Sequence, residues 1–123
     1  MASDPKTVVV AEDEVLVRML AAEVLTDAGF EVIEVEHARD ALAVLAAKSS
    51  TIHLLFTDIN MPGPMNGLEL AHHVRRTWPA IGLLIASGQG RPLFEDLPVG
   101  SRFLPKPYHP DHVVAHARTL TAS

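Results

Sequence analysis

The feature that most constrains this chain is an alternation of two periods. Short apolar, β-branched runs alternate with longer segments whose apolar residues recur at helical spacing. "TVVV" (7–10) reads as a buried strand. "EVLVRMLAAEVLTDAG" (14–29) then switches period. Leu16, Leu20 and Val24 fall on one helix face, and Gly29 is placed to end the helix. "FEVIEV" (30–35) reads as a second strand. "RDALAVLAAK" (39–48) reads as a second helix, with Leu42 and Leu45 on one face. "IHLLF" (52–56) is a third strand, running up to Asp58. "NGLELAHHVRRTW" (66–78) reads as a third helix, with Asn66 and Glu69 spaced as a capping box. "AIGLLIAS" (80–87) and "SRFL" (101–104) are further strands. "PDHVVAHARTL" (110–120) is a last helix, with Pro110 in its first turn.

Strands alternating with helices predict an α/β fold: a parallel sheet covered on both faces and doubly wound by right-handed crossovers. A chain of 123 residues suits one such domain, read as 1–123. Its 48% hydrophobic and 20% charged residues fit a soluble globular protein. A net charge of −5 argues against direct nucleic-acid binding. The absence of cysteine excludes disulfides and thiolate metal sites, and is compatible with the cytoplasm. No run approaches the ~18 apolar residues of a membrane span, and the N-terminus has no secretory h-region.

In doubly wound sheets ligands bind outside the carboxyl ends of the strands. Strand one ends in "AEDE", with Glu12 and Asp13 at its tip. Strand three ends in Asp58, strand four in Ser87 and strand five in Lys106. Gathered carboxylates repel one another unless a cation sits among them. One or two direct carboxylates suit Mg²⁺, which keeps several waters. A lysine opposite supplies a point charge for an anion such as a phosphoryl group, and a small hydroxyl can hydrogen-bond it. Each residue also has a plainer role open to it. Asp58 can cap the Pro-rich turn, Glu12 and Asp13 can cap the first helix, and Lys106 can be a solvated loop residue. His112 and His116, four apart on a helix, read as a solvated face, and the adjacent His72 and His73 point in different directions.

Taken in order on these strand ends, "AEDE", "FTDINMPGPMNG", "ASG" and "KPY" resemble the receiver domain of two-component response regulators, over essentially the whole chain. The resemblance implies a flavodoxin-like, five-stranded sheet in the order 2-1-3-4-5. It implies that Asp58 is the phosphoacceptor, attacking a phosphohistidine on a sensor histidine kinase or phosphotransfer protein. Asp13, Asp58 and the backbone carbonyl of Asn60 would ligate Mg²⁺ directly, and Glu12 through water. Lys106 would pair with a phosphoryl oxygen. Ser87 would swing to hydrogen-bond it, and Gly88 would leave the approach open. Phe103 would turn inward as Ser87 moves. Asn60 and Gln89 would flank the path of attacking water. The bond from Lys106 to Pro107 would be cis, and Tyr108 would pack over the loop. Such a chain is a monomer that catalyses only its own phosphorylation and dephosphorylation, and passes the signal to a downstream protein. It ends just after the last helix, which leads us to expect a stand-alone receiver.

Two stretches depart from the family pattern. The common loop is a shorter Met-Pro-x-Met-Asp-Gly. Here "INMPGPMNG" has an extra residue at Gly63 and Pro64, expected to bulge over the site. Between strands four and five, "GQGRPLFEDLPVG" leaves only "LFEDL" between prolines, so the helix usual there is expected to be short or frayed and the loop mobile. This resembles the atypical subgroup named for a Phe-Ala-Thr-Gly motif, although Ile85 and Ser87 replace its Phe and Thr. Two rival readings follow. A haloacid-dehalogenase-like Mg²⁺ phosphohydrolase would need an acid where Asn60 stands. A pseudo-receiver that binds partners without phosphorylation would not need the intact set of Asp13, Asp58, Ser87 and Lys106.

Overall fold

Along each inner strand alternate residues are apolar to both sides, so the sheet has two faces to cover. In the computed structural model, which describes residues 5–88 and 94–122, helices cover both. The elements are β1 (Thr7–Ala11), α1 (Val15–Asp27), β2 (Glu31–Val35), α2 (Ala38–Lys48), β3 (Leu54–Asp58), α3 (Gly67–Thr77), β4 (Gly82–Ser87), β5 (Arg102–Pro105) and α4 (Pro110–Thr121). All strand pairs are parallel, in the order β2-β1-β3-β4-β5. This is the expected doubly wound sheet, with its switch in strand order between β1 and β3.

The period-two alternation sorts the core into two layers. Val9, Ala11, Leu55, Leu83 and Ile85 pack against α2 and α3 through Ala41, Leu45, Leu70 and Val74. Val8, Val10, Leu54, Phe56 and Leu84 pack against α1 and α4 through Ala21, Leu25, Val113 and Ala117. Helix boundaries follow the expected chemistry. Gly29 has φ +99°, a conformation that favours glycine, and ends α1. At α3 the Asn66 side chain accepts from the Glu69 N–H at 2.9 Å, and the Glu69 carboxylate accepts from the Asn66 N–H at 3.0 Å. Pro110 is the first residue of α4.

One expected face is corrected. Leu16 and Leu20 are 74% and 63% exposed, and the buried residues of α1 are Ala21, Ala22 and Leu25. The helix approaches the sheet through these residues, with Val24 of the expected face packed against the same layer, while Val15, Leu16, Met19 and Leu20 stand in solvent.

Between β4 and β5 the described residues hold one 3-10 turn, Phe94–Asp96, as the shortened helix predicts. The rest of that expectation, residues 89–93 and the mobility of the loop, lies outside the described residues. His72 on α3 donates from Nε2 to the Asp96 carbonyl at 2.7 Å and so ties this turn to the body.

The loop after Asp58 closes through a single contact. The Gly67 N–H donates to the Ile59 carbonyl at 2.9 Å. A Cβ on Gly67 would lie 1.7 Å from the Asp58 carbonyl oxygen. The end of β3 and the start of α3 therefore touch only because residue 67 has no side chain. Gly67→Ala is expected to destabilise the fold by about 1–3 kcal/mol, the usual range for forced overpacking. Urea unfolding reads this as a lower midpoint. An unchanged midpoint would show that the loop yields freely.

Candidate functional site

Parallel pairing brings four strand tips to one edge. Ala11 pairs with Thr57, Asp58 with Ala86, and Ser87 with Pro105. Glu12 and Asp13 therefore sit beside Asp58, and Lys106 follows the pair of Ser87. The Lys106 ammonium lies 2.5 Å from Glu12 Oε1 and 3.4 Å from Asp58 Oδ2. Glu12 and Asp58 are only 4% and 6% exposed. The structure thus joins Glu12, Asp13, Asp58 and Lys106, all four named from sequence.

Burial sets the electrostatics. It raises the pKa of Asp58 above the ordinary carboxylate value, and the charge of Lys106 only partly offsets this. Burial also raises Glu12, against the hydrogen bonds from Lys106 and the Glu14 N–H. For Lys106 burial acts downward, but the bond to Glu12 and the charges of Asp58 and Glu12 outweigh it, so its pKa is raised. One cation thus serves two desolvated carboxylates and compensates neither in full.

The donor set fits a hard divalent cation. One oxygen from each of Glu12, Asp13 and Asp58 lies within 4.8 Å of the others. Among the described residues Asp58 Oδ1 is buried without a hydrogen-bond partner, which is costly for a carboxylate oxygen unless a cation meets it. Glu12 is already engaged at both oxygens, by Lys106 and by the Glu14 N–H at 3.1 Å. Asp13 and Asp58 are the freer ligands.

The remaining residues fall around this centre. Ser87 is buried, and its hydroxyl accepts a hydrogen bond from the side-chain amide of Asn60 at 2.9 Å. Sequence reasoning assigned Asn60 only a backbone carbonyl and a place beside the water path. Its side-chain contact depends on loop geometry that no residue pattern signals. Phe103 is half-buried and packs against the α2–α3 layer. A Cβ at Gly88 would make ordinary contact with the Lys106 side chain, at 3.5 Å. The Lys106–Pro107 bond is cis as expected. The Tyr108 ring packs on Phe56 with centroids 5.6 Å apart, and with Glu12 and Asp58 it lines a space of about 10 Å³. Burial raises its phenol pKa. Gln89 lies outside the described residues.

The histidines stay apart from the site. The His116 ring lies 3.4 Å from Arg102, and burial with that charge lowers its pKa. The His73 ring packs edge-on to Trp78 while His72 turns to Asp96. Among the described residues Glu12, Asp13 and Asp58 are the one group of three potential metal ligands gathered this closely.

With this geometry in hand, the comparisons are specific. The family model described as the response regulator receiver domain matches residues 8–118. The chain is 32% identical over 109 residues to the sensor kinase CckA of Brucella abortus (strain 2308), covering 86% of this chain but 11% of that protein. It is 29% identical over 113 residues to the chemotaxis protein CheY of Thermotoga maritima, covering 89% of this chain and 92% of that one. The solved response regulator receiver protein of Sinorhizobium medicae WSM419 superposes with a TM-score of 0.84 at 27% identity, over 97% of both chains. No helix among the described residues is long and apolar enough to cross a membrane.

The raised carboxyl values have a sign that can be measured. A carboxyl with a higher native than unfolded pKa costs native stability once ionised. That cost is absent below the unfolded pKa, grows as pH rises through the native one, and is full above it. Asp58→Asn removes one such cost and leaves Lys106 on Glu12. In metal-free buffer the variant is expected to melt above wild type at neutral pH, with the gain shrinking as pH falls toward about 4. A variant melting below wild type at neutral pH would mean that the Lys106 pair outweighs burial.

Proposed function

The chain belongs to the response regulator receiver family, and from that premise we propose that Asp58 accepts a phosphoryl group from a histidine kinase or phosphotransfer partner. The observation that carries this reading is the buried Asp58 carboxylate held 3.4 Å from Lys106 beside Glu12 and Asp13. A carboxylate oxygen of Asp58 attacks phosphorus of a phosphohistidine. The P–N bond breaks, its electron pair stays on the imidazole nitrogen, and a mixed acyl phosphate forms.

Asp13, Asp58 and the Asn60 carbonyl would hold Mg²⁺ directly and Glu12 through water, and the ion when bound would neutralise charge on the transferring group. Lys106 pairs with a phosphoryl oxygen, for which its released contact to Asp58 leaves an ammonium proton. Ser87 donates its hydroxyl proton to another phosphoryl oxygen, and Phe103 follows on the adjacent strand. Gly88 keeps the approach open. Pro107 and Tyr108 hold the Lys106 loop against Phe56. The product is a switch, relay node or phosphate sink that acts on a downstream protein.

A phosphodonor protein must cover the edge of the sheet where Asp58 lies. Next to it, α1 starts two residues after Asp13 and exposes Val15, Leu16, Met19 and Leu20. A run of exposed large apolar side chains marks an interaction surface, and its place beside the site favours the donor as the occupant.

Two measurements test this function. With acetyl phosphate and Mg²⁺, wild type is expected to gain the mass of one phosphoryl group and Asp58→Asn none; a labelled variant would remove Asp58 as acceptor. Leu16→Glu is expected to slow transfer from a phosphorylated histidine phosphotransfer protein about tenfold or more, the scale of an interface anchor. It should leave labelling by acetyl phosphate at the wild-type rate. Equal slowing with both donors would place the effect at the site and not at the surface.

A further inference from the structure

Ser87 sits at the tip of β4, 3% exposed, and its hydroxyl oxygen accepts from Asn60 Nδ2 at 2.9 Å. Asn60 itself is exposed, on the loop that follows β3. The bond therefore ties the mobile end of an exposed side chain to a buried one on the neighbouring strand. Asp58 Oδ1, one residue back in the strand register, has no hydrogen-bond partner among the described residues. The Ser87 hydroxyl is thus engaged with Asn60 and does not reach that oxygen.

We propose that the Asn60 side chain is a positioning residue for Ser87, a latch that holds its hydroxyl in the unmodified protein and must release it when a phosphoryl group arrives on Asp58. The inference rests on the phosphoacceptor reading above and adds to it a role for a side chain which that reading does not use. Its physical content is a competition. The Ser87 hydroxyl is one small group on a short stem, so turning it toward a phosphoryl oxygen stretches or breaks the Asn60 bond. The amide then returns to water, which is accessible because Asn60 is exposed. The Asn60 bond contributes the loss of one ordinary hydrogen bond, which weighs against the switched state. The latch leaves Ser87 able to switch and sets how strongly a phosphoryl group must draw it.

The test uses the full chain with beryllofluoride and Mg²⁺ as the phosphoryl mimic, followed by the amide resonances of β4. Affinities are compared for wild type, Asn60→Ala, Ser87→Ala and the double variant. Asn60→Ala is expected to bind about two- to tenfold tighter than wild type, the range of one net hydrogen bond. In the Ser87→Ala background the same substitution is expected to change nothing, because the group it holds is gone. Unchanged or weaker binding by Asn60→Ala would overturn the latch, as would an equal effect with and without Ser87. Asn60 is exposed, so its truncation leaves the fold intact. If wild type fails to bind the mimic while folded, the phosphoacceptor reading fails first, and that result is distinct from any difference among the variants.

Discussion

The Lys106 ammonium between Glu12 and Asp58 is the interaction on which the rest of the site depends. Parallel pairing of β1, β3 and β5 forces three carboxylates and one lysine to the same edge. Two of those carboxylates are nearly inaccessible to water, and a buried carboxylate without a counter-charge costs several kcal/mol. Lys106 is near enough to both to keep the edge folded, yet burial still raises both carboxyls. The result is an edge that folds while remaining short of positive charge. A divalent cation placed there would relieve that shortfall at no cost in existing hydrogen bonds at Asp58 Oδ1.

Strand ends were legible in the sequence because they combine two signals. An apolar run stops, and a polar residue follows at once or after a single proline. That is how Glu12, Asp13, Asp58, Ser87 and Lys106 were found, and how the order of elements was read. The inward face of α1 was not legible by the same means. The four-residue spacing of Leu16, Leu20 and Val24 is a strong amphipathic pattern, but the helix packs through Ala21, Ala22 and Leu25. Hydrophobicity ranks leucine above alanine, whereas close approach of a helix to a sheet selects small side chains. A pattern argument favours the larger residue and so points to the wrong face where a helix exposes its leucines. Asn60 was half legible. Its place after Asp58 is in the sequence, but the reach of its amide to Ser87 needs the loop's shape.

The shape of that loop has its own cause. Met61 is buried in the α2–α3 layer, with Ile59 and Met65 packed against it. The chain must therefore leave the core after Met61 and return before Asn66. Gly63, with φ +111°, makes the outward turn in a conformation that favours glycine. Pro62, Gly63 and Pro64 are exposed, so this part of the loop lies on the solvent side. The outward turn and the first turn of α2 together line a groove of about 530 Å³, through Pro62, Pro64, Met65, Ala38 and Leu42. The stretch that departs from the family pattern thus lines a groove beside the site.

The same separation holds on the other side, between β4 and β5. The Lys106 N–H donates to the Ser87 carbonyl at 2.9 Å, so these two strand-tip residues are joined through the backbone. Ile85 pairs with Phe103 two residues earlier. Side chains two apart on a strand share a face, so Ser87, Ile85 and Phe103 all turn toward the α2–α3 layer. Leu97 packs against that layer too, just after the turn whose Asp96 carbonyl is held by His72. A displacement of Ser87 would therefore be felt first along one face, by Phe103 and the cluster it shares with Leu97. A long helix between β4 and β5 would have to move as a rigid body to report that change. Among the described residues the three-residue 3-10 turn Phe94–Asp96 is held instead by the His72 bond to the Asp96 carbonyl, with Leu97 on the same layer.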